Sequence, residues 1–319
     1  MLQNHITRLS LALLLTCILS WIGYGVFVFS SKKYVSAVKH NEYLFRNNAK
    51  TFDILLLGTS RMKNHLNPAI IDSITGLKSF NAALGGCNAI EAAMILKAYL
   101  LHNKPPQTVF LSADVILICT DKILTLPEAY LTCDDMPPIK KMLAKCGMPI
   151  RLYEILPFLK VTEMVDNNRV APFYLVTRWN KPTRMNNWDS TGFVNKDNNI
   201  IKEDNQKAMK ASKINLLAVA SLDTLIATCK QNNIQLVFVY APEYKHYYTG
   251  NITNLKDVMD VYYSRAIKYN IPFLRYDSLE ICTNPLLFKD NSHLNTKGAA
   301  VYSHIFAQGL LNKGIIHRP

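Results

Sequence analysis

Asp53-Ile-Leu-Leu-Leu-Gly-Thr-Ser-Arg61 is a run of large aliphatic residues that ends in a small turn. With no polar alternation, Ile54–Leu57 suits a central parallel strand buried on both faces. The turn sets the Ser60 hydroxyl at the strand's carboxyl end, where open α/β sheets bind their ligands. Working outward, Asn67-Pro68 and Gly76 bracket a short helix, with Asn as cap, Pro at the first position and Gly as stop. Lys78–Ala82 reads as a second strand, Ala89–His102 as a helix and Thr108–Leu111 as a third strand. A helix from about Glu203 to Asn232 leads into the strand Gln235–Tyr240. The helix Leu255–Tyr269, a short strand at Pro272–Arg275 and a last helix at Thr296–Leu311 complete the alternation. Strands alternating with helices in this way predict an α/β fold, a three-layer, doubly wound parallel sheet.

The regularity breaks between Asp114 and Ile200, where prolines 127, 137, 138, 149, 157, 172 and 182 alternate with aromatic residues. This stretch reads as an insertion at about 115–200 of short helices and loops, a lid or substrate flap. The expected division is therefore an anchor at 1–31, a juxtamembrane stalk at 32–50 and an α/β domain at 51–319.

The anchor is read from Leu9–Phe29, which carries no charged side chain. As a helix it spans roughly 30 Å, the thickness of a bilayer core. A cleaved signal peptide would have a shorter apolar region and a small-x-small site behind it. Ser30-Ser31 supplies small residues without such a site, so an uncleaved single-pass anchor in the lipid bilayer is expected. Arg8 lies before it and Lys32 and Lys33 after it, so the positive-inside count is nearly balanced. The ordinary outcome for such an anchor places the folded domain outside the cytoplasm, in the periplasm or on the outer surface. Trp21 and Tyr24 lie within the stretch rather than at its ends.

The formal charge of +13 invites a nucleic-acid partner. Arg8, Lys32, Lys33, Lys39, Arg46 and Lys50 are balanced only by Glu42 in the first fifty residues, and later blocks interleave acids. A basic juxtamembrane stretch reads as contact with anionic lipid headgroups. No nucleic acid is expected. Lys207, Lys210 and Lys213 recur at helical spacing, as on a solvated face. The seven cysteines show no Cys-x-x-Cys spacing, so no metal site is expected, and no organic cofactor is called for. Their pairing, Cys133 with Cys146 for example, stays open.

Chemistry is suggested by two motifs far apart in the chain. Ser60 needs a base, and Asp290-Asn-Ser-His293 stands just before the last helix. If that loop folds over the end of the first strand, His293 can take the serine proton. Asp290 can then hold the other ring nitrogen. Taken separately, Ser60 could be a helix cap and Asp-Asn-Ser a turn opening a helix. Gly86, after the second strand, adds a possible backbone donor. Arg61 and His65 could bind an anionic or sugar group, or simply begin a surface helix. Glu243 and Tyr244 follow the fourth strand among aromatic residues, as a carbohydrate-binding rim or an exposed polar loop.

Together these motifs resemble the SGNH, or GDSL-type, hydrolase superfamily over roughly 52–112 and 234–311. Gly58-Thr-Ser60 is similar to its first block, and Ser79-Phe-Asn-Ala-Ala-Leu-Gly-Gly86 to its second, whose glycine donates to the oxyanion. Asp290-Asn-Ser-His293 resembles its Asp-x-x-His block. The resemblance implies a flavodoxin-like sheet and serine esterase or acyltransferase chemistry, with Ser60, His293 and Asp290 as triad and the N–H groups of Ser60 and Gly86 as oxyanion hole. The third block departs from the pattern. The family's asparagine is missing after Phe110-Leu-Ser-Ala-Asp114, and an ionised aspartate cannot donate. Arg61 is the nearest substitute donor. Gly-Thr-Ser-Arg followed by His65-Leu-Asn-Pro68 looks like the superfamily's membrane-anchored envelope branch. That implies an acyl group, most simply acetyl, on an envelope glycan or small ester as substrate. A catalytically silent binding or assembly protein for polysaccharide export is the alternative.

Overall fold

The computed structural model describes residues 2–34, 36–46, 51–163, 191–193, 199–201 and 211–319. Parts of the expected stalk (47–50), insertion (164–190 and 194–198) and long helix (202–210, with Lys207 and Lys210) lie outside the described residues. The chain divides into two compact units, one drawn from 1–46 and 126–186 and the other from 47–125 and 187–319.

In the second unit, β1 (Ile54–Leu57), β2 (Ser79–Asn81), β3 (Thr108–Ser112), β4 (Gln235–Tyr240) and β5 (Phe273–Arg275) form one sheet in the order β2-β1-β3-β4-β5. Every neighbouring pair is parallel, with Leu56 opposite Asn81 on one side and Phe110 on the other. This is a doubly wound, flavodoxin-like sheet. The order turns back between β1 and β3, so the crevice for a ligand lies at the carboxyl ends of those two strands. β1 and β3 are buried along their whole length, as the apolar runs Ile54–Leu57 and Val109–Leu111 require.

One face of the sheet is covered by the last helix, Thr296–Asn312. Its Tyr302, Phe306 and Leu310 share a core with Ile54, Leu56, Phe110 and Val237. Phe306 meets Phe110 edge-on at 5.1 Å. Met62 and Ile71, from the two short helices after β1, and Leu66 between them join the same core. The loop before the last helix is thus drawn over the end of β1. The Asn67 cap, Pro68 start and left-handed Gly76 stop all appear in the helix Pro68–Thr75. The long helix departs from expectation. It runs Leu216–Gln231, because the Asn215 side chain accepts from the N–H groups of Leu217 and Ala218 and so starts the helix there.

In the first unit, the helix Leu2–Tyr34 is followed by the helix Ser36–Arg46. Gln3–Tyr34 is, among the described residues, the one helix long and apolar enough to cross a membrane. Residues 3–16 are exposed throughout, whereas Phe27, Ser30, Ser31 and Tyr34 are buried. Two short helices, Pro137–Lys145 and Ile150–Ile155, belong to the same unit.

Candidate active site

The turn after β1 is forced by close packing. Gly58 has φ +132°, and a Cβ there would lie 2.3 Å from Ser112 Cβ of β3. Only glycine meets both demands. Thr59 then caps the helix Ser60–His65. Its Oγ1 accepts from Arg61 N–H and donates to Asp114 Oδ2 at 2.8 Å. Ser60 is therefore the first helical residue, held at the mouth of the β1/β3 crevice.

His293 Nε2 lies 2.8 Å from Ser60 Oγ. His293 Nδ1 lies 2.9 and 3.0 Å from the two oxygens of Asp290. A nucleophile, a base and an orienting acid thus stand in one hydrogen-bonded line, the arrangement of a serine hydrolase. Asp290 Oδ1 also accepts from Ser292 N–H at 3.0 Å, Ser292 Oγ–H at 3.0 Å and His293 N–H at 2.9 Å. Partial burial works against its charge. The hydrogen bond from His293, the imidazole's charge and the Ser292 donors outweigh that and hold the carboxyl well below its ordinary range. Asp290 therefore stays ionised at any pH above about 4, and the contribution of these bonds to stability, full above the ordinary carboxylate value, is lost progressively as pH falls from that value through the lowered one.

Several contacts fix the loop that carries the base. Tyr244 N–H donates to Asn291 O at 3.0 Å, and the Tyr244 ring lies 5.4 Å from that of Phe288. Asn295 caps the last helix through Gly298 N–H and donates to Leu286 O at 2.8 Å. From the serine side, His65 Nε2 accepts Leu294 N–H at 3.1 Å. The helix bearing Ser60 is thereby tied to the residue after His293. On the sheet side, Asn81 Nδ2 donates to the carbonyls of Met62 and Leu66, closing the far end of the serine helix.

Gly86 lies in the turn after β2, which Leu84 N–H joins to Gly58 O at 3.0 Å. Its φ is +74°, and its carbonyl accepts from Thr125 Oγ1 at 2.7 Å. Added bulk would meet Thr125 Cγ2 at 2.9 Å.

The expected substrate-facing residues are placed elsewhere. Arg61 is 1 % exposed. Its guanidinium donates to Ala241 O, pairs with Asp114 at 3.5 Å and Glu243 at 3.7 Å, and stacks over the Tyr240 ring at 4.7 Å. It thus joins the ends of β1, β3 and β4 from beneath the serine and is turned away from any solvent-borne substrate. Glu243 is fully buried and accepts Tyr240 Oη–H at 3.2 Å, and Tyr244 is buried with it. A carbohydrate rim made of these two side chains does not fit that burial. Asp114 is committed to Thr59 and Arg61, so it does not replace the missing asparagine.

His65 is likewise buried rather than at a helix start facing solvent. Burial first, then the charges of Arg61 and His293, pushes its imidazole well below the ordinary histidine range and keeps it neutral. Protons then prefer the unfolded chain, so stability should fall as pH drops below about 6.5, by up to about 1.4 kcal/mol per pH unit. His65→Gln, which keeps an acceptor for Leu294 N–H, should lose that acid sensitivity and retain turnover within a few-fold. His65→Phe should lose turnover without changing KM. Denaturation midpoints at pH 7 and 5, with kinetics on both variants, check this.

What sequence reasoning missed are the polar supports, Thr59, Asn81 and Ser292. Asn81 alone is conspicuous, an amide at the end of a buried strand.

No family model matches the chain, and no curated protein does. Among solved structures it is similar to a lipase/acylhydrolase from Enterococcus faecalis, with 12% identity, TM-score 0.41, covering 83% of this chain and 97% of that one. A G-D-S-L family protein from Desulfitobacterium hafniense DCB-2 shows 10% identity and TM-score 0.39, over 80% and 97%. An acetyl xylan esterase, AlAXEase, shows 11% and 0.37, over 82% and 100%.

Proposed function

We propose that the protein is a membrane-anchored SGNH-type serine esterase or acyltransferase that acts on ester-linked acyl groups, most simply acetyl, of an extracytoplasmic envelope glycan. The observation that carries this reading is the 2.8 Å approach of His293 Nε2 to Ser60 Oγ, with Asp290 on the other ring nitrogen. In the first half-reaction Ser60 Oγ attacks the ester carbonyl and its proton passes to His293. The oxyanion lies against the N–H groups of Ser60 and Gly86. Collapse expels the alcohol, which takes the proton back from His293. Water, or a glycan hydroxyl, then attacks the acyl-serine, with His293 again taking and returning the proton. Gly-Thr-Ser-Arg, His65-Leu-Asn-Pro68 and the apolar N-terminal helix support the envelope setting.

A silent binding protein is the second reading, favoured by the absent third donor. One oxyanion donor is worth about 2.7–4 kcal/mol of barrier, a hundredfold or more in rate. Labelling the full-length protein with a fluorophosphonate, followed by mass spectrometry, separates the two. The enzyme reading expects an adduct on Ser60 that is absent from His293→Ala. Folded protein without an adduct selects the binding reading.

A further inference from the structure

Gly85 and Gly86 have no side chains to seat their turn, yet an oxyanion donor acts only when it lies about 2.7–3.1 Å from the developing charge. Three contacts supply the placement. Leu84 N–H on Gly58 O, at 3.0 Å, ties the start of the turn to the end of β1. Cys87 N–H closes the turn on Leu84 O at 3.2 Å, with Gly86 at φ +74° in its third position, where a type II turn takes glycine. That closing bond engages neither the Gly85 carbonyl nor the Gly86 N–H. The third contact is Thr125, whose Oγ1–H donates to Gly86 O at 2.7 Å and whose Cγ2 would lie 2.9 Å from a Cβ on Gly86. The turn is open at Gly85, which is exposed and whose Cβ would meet no described atom within 4 Å. Thr125 is the wall against which Gly86 rests.

Thr125 is in turn held by the helix Ala89–Leu100, which follows the glycine turn. Asn88 caps that helix, its Oδ1 accepting Glu91 N–H at 2.9 Å. The cap needs only this oxygen. The Asn88 amide is directed elsewhere, donating to Lys122 O at 2.6 Å and Ile123 O at 3.3 Å. Glu91, fully buried in the first turn of the helix, accepts Thr125 N–H on Oε2 at 3.3 Å. Leu124 is buried between these ties. Two buried polar side chains of one helix start thus converge on residues 122–125, and that loop delivers a hydroxyl to Gly86 O.

We propose that Thr125 is a positioning residue of the oxyanion hole: its hydroxyl and methyl fix Gly86 relative to the end of β1, and Asn88 and Glu91 hold Thr125 in place. The inference rests on the esterase reading and deepens it. A hole without the third-block asparagine depends on the placement of the donors it keeps, and a misplacement of about 1 Å costs on the order of a hundredfold in rate.

The test compares the full-length wild type with Thr125→Val, which keeps the shape and loses the donor, and Thr125→Ser, which keeps the donor. With p-nitrophenyl acetate, Thr125→Val is expected to lower kcat by about 10–100-fold and to leave KM within about twofold. Methylboronic acid, whose adduct on Ser60 is a tetrahedral anion like the intermediate, should bind more weakly by the same factor. The acid limb of the pH–rate profile should stay in place, because His293 and Asp290 are untouched. Thr125→Ser should return kcat to within about threefold of wild type. Asn88→Ser, which keeps a cap and drops the amide donors, should move kcat and boronate binding in the same direction, and it decides the matter if Thr125→Val does not fold. A Thr125→Val kcat within about twofold of wild type, boronate binding that does not follow kcat, or a displaced acid limb overturns the inference while fluorophosphonate still labels Ser60. Wild type that takes no fluorophosphonate overturns the esterase reading and this inference together.

Discussion

Ser60→Ala and His293→Ala are each expected to lower turnover of p-nitrophenyl acetate, and release of acetate from an acetylated glycan, by on the order of 10⁴–10⁶-fold. Triad members act as a unit, so removing either one forfeits nearly the whole nucleophilic term. The geometry gives the reason. His293 Nε2 is the base placed at 2.8 Å from Ser60 Oγ, and an unassisted serine hydroxyl is a poor nucleophile. Asp290→Asn should fall less far, on the order of 10⁴-fold, because the imidazole stays seated while its tautomer is no longer enforced. Ser292 Oγ, 3.0 Å from His293 Nδ1, is in place to hold part of that orientation. Circular dichroism of each variant checks folding. Wild-type rates equal to those of Ser60→Ala on both substrates would remove support for hydrolysis.

The sheet was legible because its longer strands, β1, β3 and β4, are built on short apolar runs. β1 and β4 fall on the expected residues, and β2, β3 and β5 differ by a residue or two at their ends. Ser60, Asp290 and His293 were legible because polar residues at a strand end and before a helix are cheaply explained only by turns or chemistry. Arg61, His65 and Glu243 were misread for one shared reason. Charged and imidazole side chains are usually exposed, and nothing local says that three strand ends converge on them. Arg61 meets Asp114 and Glu243, 53 and 182 residues further along the chain, only once β1, β3 and β4 are side by side. The reach of the insertion was hidden likewise. Proline spacing announces irregular backbone, but not that Phe158 returns to Ser20.

Arg61→Ala is expected to destabilise the fold rather than to weaken substrate binding. The variant leaves Asp114 and Glu243 buried without their cation, and breaking a buried pair from one side typically costs about 3–5 kcal/mol. At roughly 2–4 °C per kcal/mol for a domain of this size, the unfolding midpoint should fall by on the order of 10 °C. Arg61→Lys should fall less but not be neutral. An ammonium keeps the charge, yet it cannot donate to Ala241 O, face two carboxylates and stack on Tyr240 in one geometry. Removing the orphaned charges along with the cation, as Arg61→Met with Asp114→Asn and Glu243→Gln, should recover part of the loss. A substrate clamp could not show that recovery. Thermal scans at one fixed rate, read beside KM, separate the cases. A raised KM with an unmoved midpoint would put Arg61 back at the substrate. The expected pattern is a lowered midpoint together with slower serine labelling at temperatures where the protein is still folded. Arg61 follows Ser60 directly, and the turn that aims the hydroxyl is held down by the same guanidinium.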